Sequence, residues 1–331
     1  MTRSTLLLTE SAVQQLLDIR ATIAVVRRAF IAAARGQTVM PPKVYLSLPG
    51  GSDFRAMPAS LQHPAACGIK WVNVHPRNRR RGLPTVMALI LLNDPATGYP
   101  LAVMDGRLIT KLRTAAAAAK TLARPDSHVV GLIGCGAQAD AQLAALAIEF
   151  RLTAVRAWGA RRGEAAAWCR RMRRQWPAIR FQPSPTIQAC VRDVDLLVTV
   201  TPSRRPLVRR AWVSPGTHLN AVGADAPGKQ ELDPAILRDA VVVVDERRQA
   251  MHGGELNVPI HRRQFYPSQI RGELGEVLIG RVRGRQTASE LTVFDSTGVA
   301  IHDIAVAAQV WRQAQRQGVG QRITWFNTLA R

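Results

Sequence analysis

Only four cysteines occur in the 331 residues, and Cys67, Cys135, Cys169 and Cys190 stand at no spacing suited to a metal site or a redox pair. A disulfide-stapled secreted scaffold and a thiolate metal centre are thereby excluded, no metal is expected, and four inert thiols suit a reducing, cytoplasmic setting. No apolar run approaches the ~20 residues that span a bilayer. The longest, Val86–Leu92, reads as a buried strand. The first ten residues lack a full apolar core and a small-residue cleavage site, so no signal peptide is expected. Aromatics are 5% of the chain and acids number 23 against 45 basic residues, a formal net charge of +22. Lysine is scarce too, at Lys43, Lys70, Lys111, Lys120 and Lys229, so the charge is nearly all arginine. Nucleic-acid binding wants cations gathered on one face with aromatics to stack on, or a recognised module. Arg77–Arg81 and Arg170–Arg174 offer neither, and read as solvated surface with weak attraction to polyanions. No internal repeat and no low-complexity linker interrupts the chain.

What the chain does have is an apolar strand run, His128-Val-Val-Gly-Leu-Ile, leading into Gly134-Cys-Gly136-Ala137-Gln138-Ala139 and then an apolar pattern at helical spacing. Strand, tight glycine turn and helix are the context a dinucleotide fingerprint requires. Gly134 permits the turn, Gly136 lets a pyrophosphate approach the backbone, and Ala139 lets helix and strand pack closely. The phosphates then rest on unpaired N–H groups at the helix N-terminus.

From residue 128 onward, strand-like and helix-like runs alternate, which predicts a parallel sheet wrapped by helices. The strands are Val129–Ile133, Ala154–Trp158, Asp195–Thr201, His218–Gly223, Val241–Asp245 and Leu291–Phe294, with helices at Arg162–Gln175 and Asp233–Arg238. Before it, a helix capped by Thr9 or Ser11 runs to about Ala34 and is closed by Gly36. Strand-like pieces follow at Lys43–Leu48, Phe54–Pro58, Cys67–His75, Val86–Asn93 and Tyr99–Asp105, then a helix over Leu108–Leu122. A last helix, about Asp303–Gln317, folds back on this first part. The expectation is an α/β protein: a Rossmann-type doubly wound domain over 126–302, and an α+β substrate and dimerisation domain over 1–125, completed by 303–331.

Several stretches together resemble the ornithine cyclodeaminase/mu-crystallin family. They are Gly68-Ile-Lys70-Trp-Val-Asn, Ala102–Ala117 with Arg113, the glycine turn, Gly216–Leu232 with Asp225, and Val293–Asp303. Order and spacing agree over about residues 40–310. The resemblance implies an NAD(P) cofactor, a small 2-imino or 2-amino acid substrate, and a homodimer whose first domains join strands in an intersubunit barrel. It implies Lys43, Lys70 and Arg113 as a clamp for the substrate carboxylate, a group that wants fixed cations, and Met57 as a pocket wall. Lys70 and Asp225 are the expected catalytic groups, Asp225 managing a proton at the imine nitrogen. Thr85, Arg113, Gly134, Gly136, Ala137, Gln138, Thr201, Ser203 and Val222 are the positions implied to meet the cofactor.

An NAD enzyme of this fold carries an acid about 20 residues past the glycines to hold the ribose 2′-hydroxyl. Here the second strand ends in Gly159-Ala-Arg161-Arg162, and the first acid is Glu164. Two arginines suit a 2′-phosphate, so NADP is expected, with NAD possible. The expected activity is reduction of Δ1-pyrroline-2-carboxylate or Δ1-piperideine-2-carboxylate to proline or pipecolate. Ornithine cyclodeaminase comes next, then alanine dehydrogenase. A crystallin-like NADPH-binding protein is the alternative of a different class, against which Asp225 stands.

Overall fold

The computed structural model describes residues 4–117 and 122–326. Its contacts divide the chain into two units, Met1–Arg113 with Val299–Arg331, and Thr114–Gly298. The first opens with β1 (Thr5–Leu8), α1 (Glu10–Leu16), α2 (Ile19–Ala34), β2 (Thr38–Val39) and β3 (Val44–Leu48). It continues through β4 (Ser52–Leu61), β5 (Ala66–Val74), β6 (Val86–Asn93), β7 (Pro100–Asp105) and α3 (Arg107–Ala117). The second unit runs β8 (Val129–Ile133), α4 (Ala137–Glu149), β9 (Ala154–Trp158), α5 (Glu164–Gln175), β10 (Arg180–Pro183) and α6 (Ile187–Val191). Then come β11 (Leu196–Thr199), β12 (Arg204–Val208), β13 (His218–Ala221), β14 (Gln230–Leu232), α7 (Pro234–Asp239) and β15 (Ala240–Val244). It ends with α8 (Arg247–Gly253), α9 (Asn257–His261), β16 (Ile270–Glu273), α10 (Leu274–Leu278) and β17 (Leu291–Asp295). Finally α11 (Ala300–Gln317) and β18 (Gln321–Ile323) belong to the first unit.

In the first unit, β4 to β7 form an antiparallel meander, β1 lies parallel to β7, and the sheet order is β18-β1-β7-β6-β5-β4-β2 with β3 on β4. Alternation decides which side chains go inward. Arg55, Met57, Ala59 and Leu61 of β4 are buried, as are Ala66, Lys70 and Val72 of β5. The helix α11 packs on β4, β5 and β6 and on α2, which explains its long buried face from Ala300 to Ala314.

The second unit is a fully parallel sheet in the order β10-β9-β8-β11-β13-β17-β15-β16, with helices between its strands. All four residues of β11 are buried, as the continuous apolar run requires of a strand covered on both faces. Leu143, Leu146, Trp168 and Phe181 belong to one core, Ile236, Leu256 and Phe265 to another. Chain order reverses between β8 and β11, the switch point where open α/β sheets bind their ligands.

Several expected boundaries move. The helix expected from Thr9 to Ala34 is two helices: Thr9 caps α1, and Asp18 starts α2 by accepting from the Ala21 N–H. A side chain that satisfies orphan N–H groups begins a new helix even inside an apolar pattern. The boundary between units falls within α3 at Arg113/Thr114, not near 125/126. The last helix begins at Ala300 rather than Asp303. Of the helix expected over Leu108–Leu122, residues 118–121 lie outside the described residues, as do 327–331 of the C-terminal segment assigned to the first domain. Among the described residues, no helix is long and apolar enough to cross a membrane.

Candidate active site

A three-member ion cluster is buried in the first unit. Lys70 Nζ donates to Asp303 Oδ2 at 2.7 Å, and Arg113 Nε donates to Asp303 Oδ1 at 2.8 Å. Lys70 is 1% exposed and Asp303 0%. Strand alternation puts Lys70 inward on β5, α3 supplies Arg113, and Asp303 sits in the first turn of α11. Burial, then Arg113, brings Lys70 down to about 7, with Asp303 pulling the other way and Lys43 adding to the depression. Burial alone would raise the Asp303 carboxyl, but Arg113 and Lys70 outweigh it and hold it below its usual range. Two cations thus share one carboxylate. Arg113 Nη1 is buried with no hydrogen-bond partner among the described residues. Burying a cationic donor unpaired is costly, so this cluster is short of one anion.

The walls of that cluster are apolar. Met57, Lys70, Ile90 and Met104 stand in one row across β4, β5, β6 and β7, all buried. Lys43 immediately precedes β3, whose Val44 pairs with Ala56, so the strand register carries Lys43 toward Met57. Beside Asp303, His302 is buried with neither ring nitrogen hydrogen-bonded among the described residues, its ring edge-on to Phe30 at 4.3 Å. Burial, then Arg113, pushes it down to about 3, so the imidazole is neutral.

In the second unit the glycine turn has the expected form. Gly134 adopts φ +106°, and a Cβ there would stand 2.9 Å from the Val200 carbonyl oxygen. A Cβ on Gly136 would meet nothing within 4 Å, so the space before α4 is open. Gly136 is the N-cap of α4 and offers no side-chain acceptor to its first N–H groups, while Ala139 is fully buried. Gln138 Oε1 is buried without a partner. Open space and N–H groups with no side-chain cap fit a dinucleotide pyrophosphate, whereas the Gln138 amide oxygen, an acceptor, would need a donor such as a ribose hydroxyl.

The neighbouring loops are tied together by an acid that sequence reasoning missed. Glu231 Oε1 accepts from Thr201 N and Oγ1, both at 2.7 Å, and its Oε2 accepts from Gly223 N at 2.9 Å. Burial raises the Glu231 pKa despite these bonds, and burial, then Glu231, raises that of Glu255 behind it well above the usual range. Val222 is buried at the end of β13, and Ser203 Oγ turns back to the Arg205 carbonyl. Asp225, three residues past Val222, forms an ion pair with Lys229.

Lys43, Met57, Lys70, Thr85 and Arg113 therefore belong to the first unit, and Ala137, Gln138, Arg161, Arg162, Thr201, Ser203, Val222 and Asp225 to the second. Thr85 immediately precedes β6, its carbonyl accepting from His75 N. Arg161 is ion-paired with Glu164. Burial pushes the thiol of Cys135 up to about 12 and those of Cys169 and Cys190 to about 11. Asp303 and Arg55 were missed as well. Asp303 had a signal, a lone acid at the head of an apolar helix, which can be buried only against a cation. Arg55 lies on the inward face of β4 two residues from Met57, its guanidinium held by Asp53 at 2.9 and 3.0 Å.

The ornithine cyclodeaminase/mu-crystallin family model matches residues 3–318. An alanine dehydrogenase from Archaeoglobus fulgidus is 47% identical over 325 residues, spanning 97% of this chain and 99% of that protein. Among solved structures, an archaeal alanine dehydrogenase dimer with bound NAD superposes with a TM-score of 0.94 at 46% identity, covering 98% and 100% of the two chains. The Δ1-pyrroline-2-carboxylate reductase of Thermococcus litoralis, solved with NADH and L-proline, superposes at 0.93 with 31% identity, covering 96% and 100%.

Proposed function

The chain belongs to the ornithine cyclodeaminase/mu-crystallin family, and on that footing we propose that it is an NAD(P)-dependent oxidoreductase that reduces small apolar 2-imino acids to 2-amino acids. One observation carries this reading: a buried lysine and arginine share a single carboxylate, and Arg113 Nη1 has no hydrogen-bond partner among the described residues. A substrate carboxylate supplies the missing anion, and Lys43 adds to the positive field there. Held at about 7, Lys70 is also poised to exchange a proton near neutrality. The bound nicotinamide supplies the hydride for the imine carbon. Asp225 handles a proton at the substrate nitrogen, with Lys229 fixing its carboxylate.

The apolar row of Met57, Ile90 and Met104 suits an aliphatic substrate body. Both Asp303 oxygens already accept from Lys70 and Arg113, so its negative charge is offset by two cations and attracts the distal ammonium of ornithine little. Cyclic imines, Δ1-pyrroline-2-carboxylate first, fit these features. Alanine dehydrogenase is the second reading, favoured by the 47% identical relative. Arg162, beside an Arg161 that is ion-paired with Glu164, offers a cation to a 2′-phosphate, which supports NADPH. Relatives solved with NAD and NADH support NAD(H) as well.

A substrate panel tests the proposal: cyclic imines with NADPH and NADH, pyruvate plus ammonia with either, and ornithine with NAD. Cofactor oxidation with an imine, or with pyruvate plus ammonia, is expected. Ammonia release from ornithine with no net change in cofactor would overturn it in favour of cyclodeaminase. Cofactor binding without any turnover would favour the crystallin-like alternative.

A further inference from the structure

The strand β9 ends at Trp158, and the next residue is the place where a dinucleotide fold carries its ribose-binding acid. Here it is Gly159. The room its side chain would fill is already taken: a Cβ on Gly159 would lie 2.9 Å from Glu164 Oε2, 3.0 Å from its Cγ and 3.1 Å from its Cβ. Glu164 is the first residue of α5, and it reaches back over the strand end. Its Oε2 accepts from the Arg161 N–H at 3.3 Å and its Oε1 from Arg161 Nη2 at 2.7 Å. The Glu164 side chain is 20% exposed, whereas that of Arg161 is 68% exposed. A cavity of about 340 Å³ opens at this point, lined by Trp158, Gly159, Arg161, Arg162, Ser184 and Pro185 among others.

We propose that Glu164 is the residue that sets cofactor choice. Its carboxylate is delivered from the helix rather than from the strand, into the position a residue-159 side chain would occupy, and there accepts the ribose 2′-hydroxyl of NAD(H). By engaging the Arg161 guanidinium it also withholds that cation from a 2′-phosphate and places a like charge beside it. Arg162 is left to receive a phosphate without its neighbour. The inference rests on the nicotinamide-cofactor reading above, and it concerns binding rather than turnover.

The test is the dissociation constants of NADH and NADPH, measured by fluorescence titration on the full-length protein at one ionic strength. In Glu164→Gln, NADH should bind about tenfold more weakly, the loss of one charge-assisted hydrogen bond, while NADPH binds as tightly or more tightly. The double substitution Glu164→Ala with Gly159→Asp removes the carboxylate and Cγ from that space, leaving only the residue-164 Cβ at 3.1 Å to shift by a few tenths of an ångström, and puts an acid in the ordinary place; it should restore NADH binding. Unchanged NADH affinity in Glu164→Gln overturns the proposal, as does equal weakening of both cofactors. So does a double variant that folds, binds NADPH and fails to regain NADH. If the wild-type protein bound neither dinucleotide, the cofactor reading itself would fall, an outcome distinct from the others.

Discussion

At the scale of single residues, Lys70 makes the sharpest claim. With its ammonium brought down to about 7, it is charged below that pH and neutral above. In the reductive direction the charged form both holds the substrate carboxylate and carries a proton to give. The kcat/KM for imine reduction should therefore fall as pH rises through about 7. In Lys70→Met that step should vanish and KM should rise. An identical fall in the variant would assign the titration to another group. Lys70 and Arg113 stood out in the sequence as candidate cations because they sit in motifs with fixed neighbours, and a carboxylate substrate needs cations. Their shared partner was not legible, since Asp303 lies 233 positions from Lys70 and nothing local says which helix will cover β5. Glu164 was visible as the first acid after β9, but its reach back over Gly159 depends on the short turn at Gly163, where φ is +78°.

Among the elements, β3 carries the clearest unfinished business. It pairs only with β4 among the described residues, and it exposes Val44, Leu46 and Leu48. The register continues Val44 through Ala56 to Trp71 and Leu89 on one face, and both of these large side chains are exposed, Leu89 at 55%. Phe54 stacks on Trp71 at 5.2 Å. Natural proteins seldom leave such an edge and such an apolar face to water. A second copy of the chain, related by a two-fold axis, is the expected cover. Sedimentation at micromolar concentration should show a dimer, and Leu46→Lys with Leu89→Lys should shift it toward monomer. A wild-type monomer would contradict this. Apolar, largely β-branched runs made the strands of the parallel sheet legible to within a residue or two, as at Val129–Ile133 and at Val241–Asp245, where the strand spans Ala240–Val244. Short pieces such as β1, β10, β12 and β18 were missed, because three to five residues carry too little periodicity to separate them from loop.

On the scale of the whole molecule, the chemistry is divided: one unit carries the buried cation cluster, the other the glycine turn and Asp225. Some of the arginines lie in surface pairs such as Arg171 with Asp140 and Arg210 with Asp239, and with 45 basic against 23 acidic residues there are too few acids to pair with the rest. The central claim is that Lys70 and Arg113 bind a substrate carboxylate whose C2 imine is then reduced. The most direct measurement compares NAD(P)H oxidation with Δ1-pyrroline-2-carboxylate and with its carboxamide, which keeps the ring and the imine but loses the charge. The account predicts turnover of the carboxylate and a kcat/KM at least about 10²-fold lower for the carboxamide, the worth of hydrogen bonds to a charged group. Equal turnover of the two would contradict it.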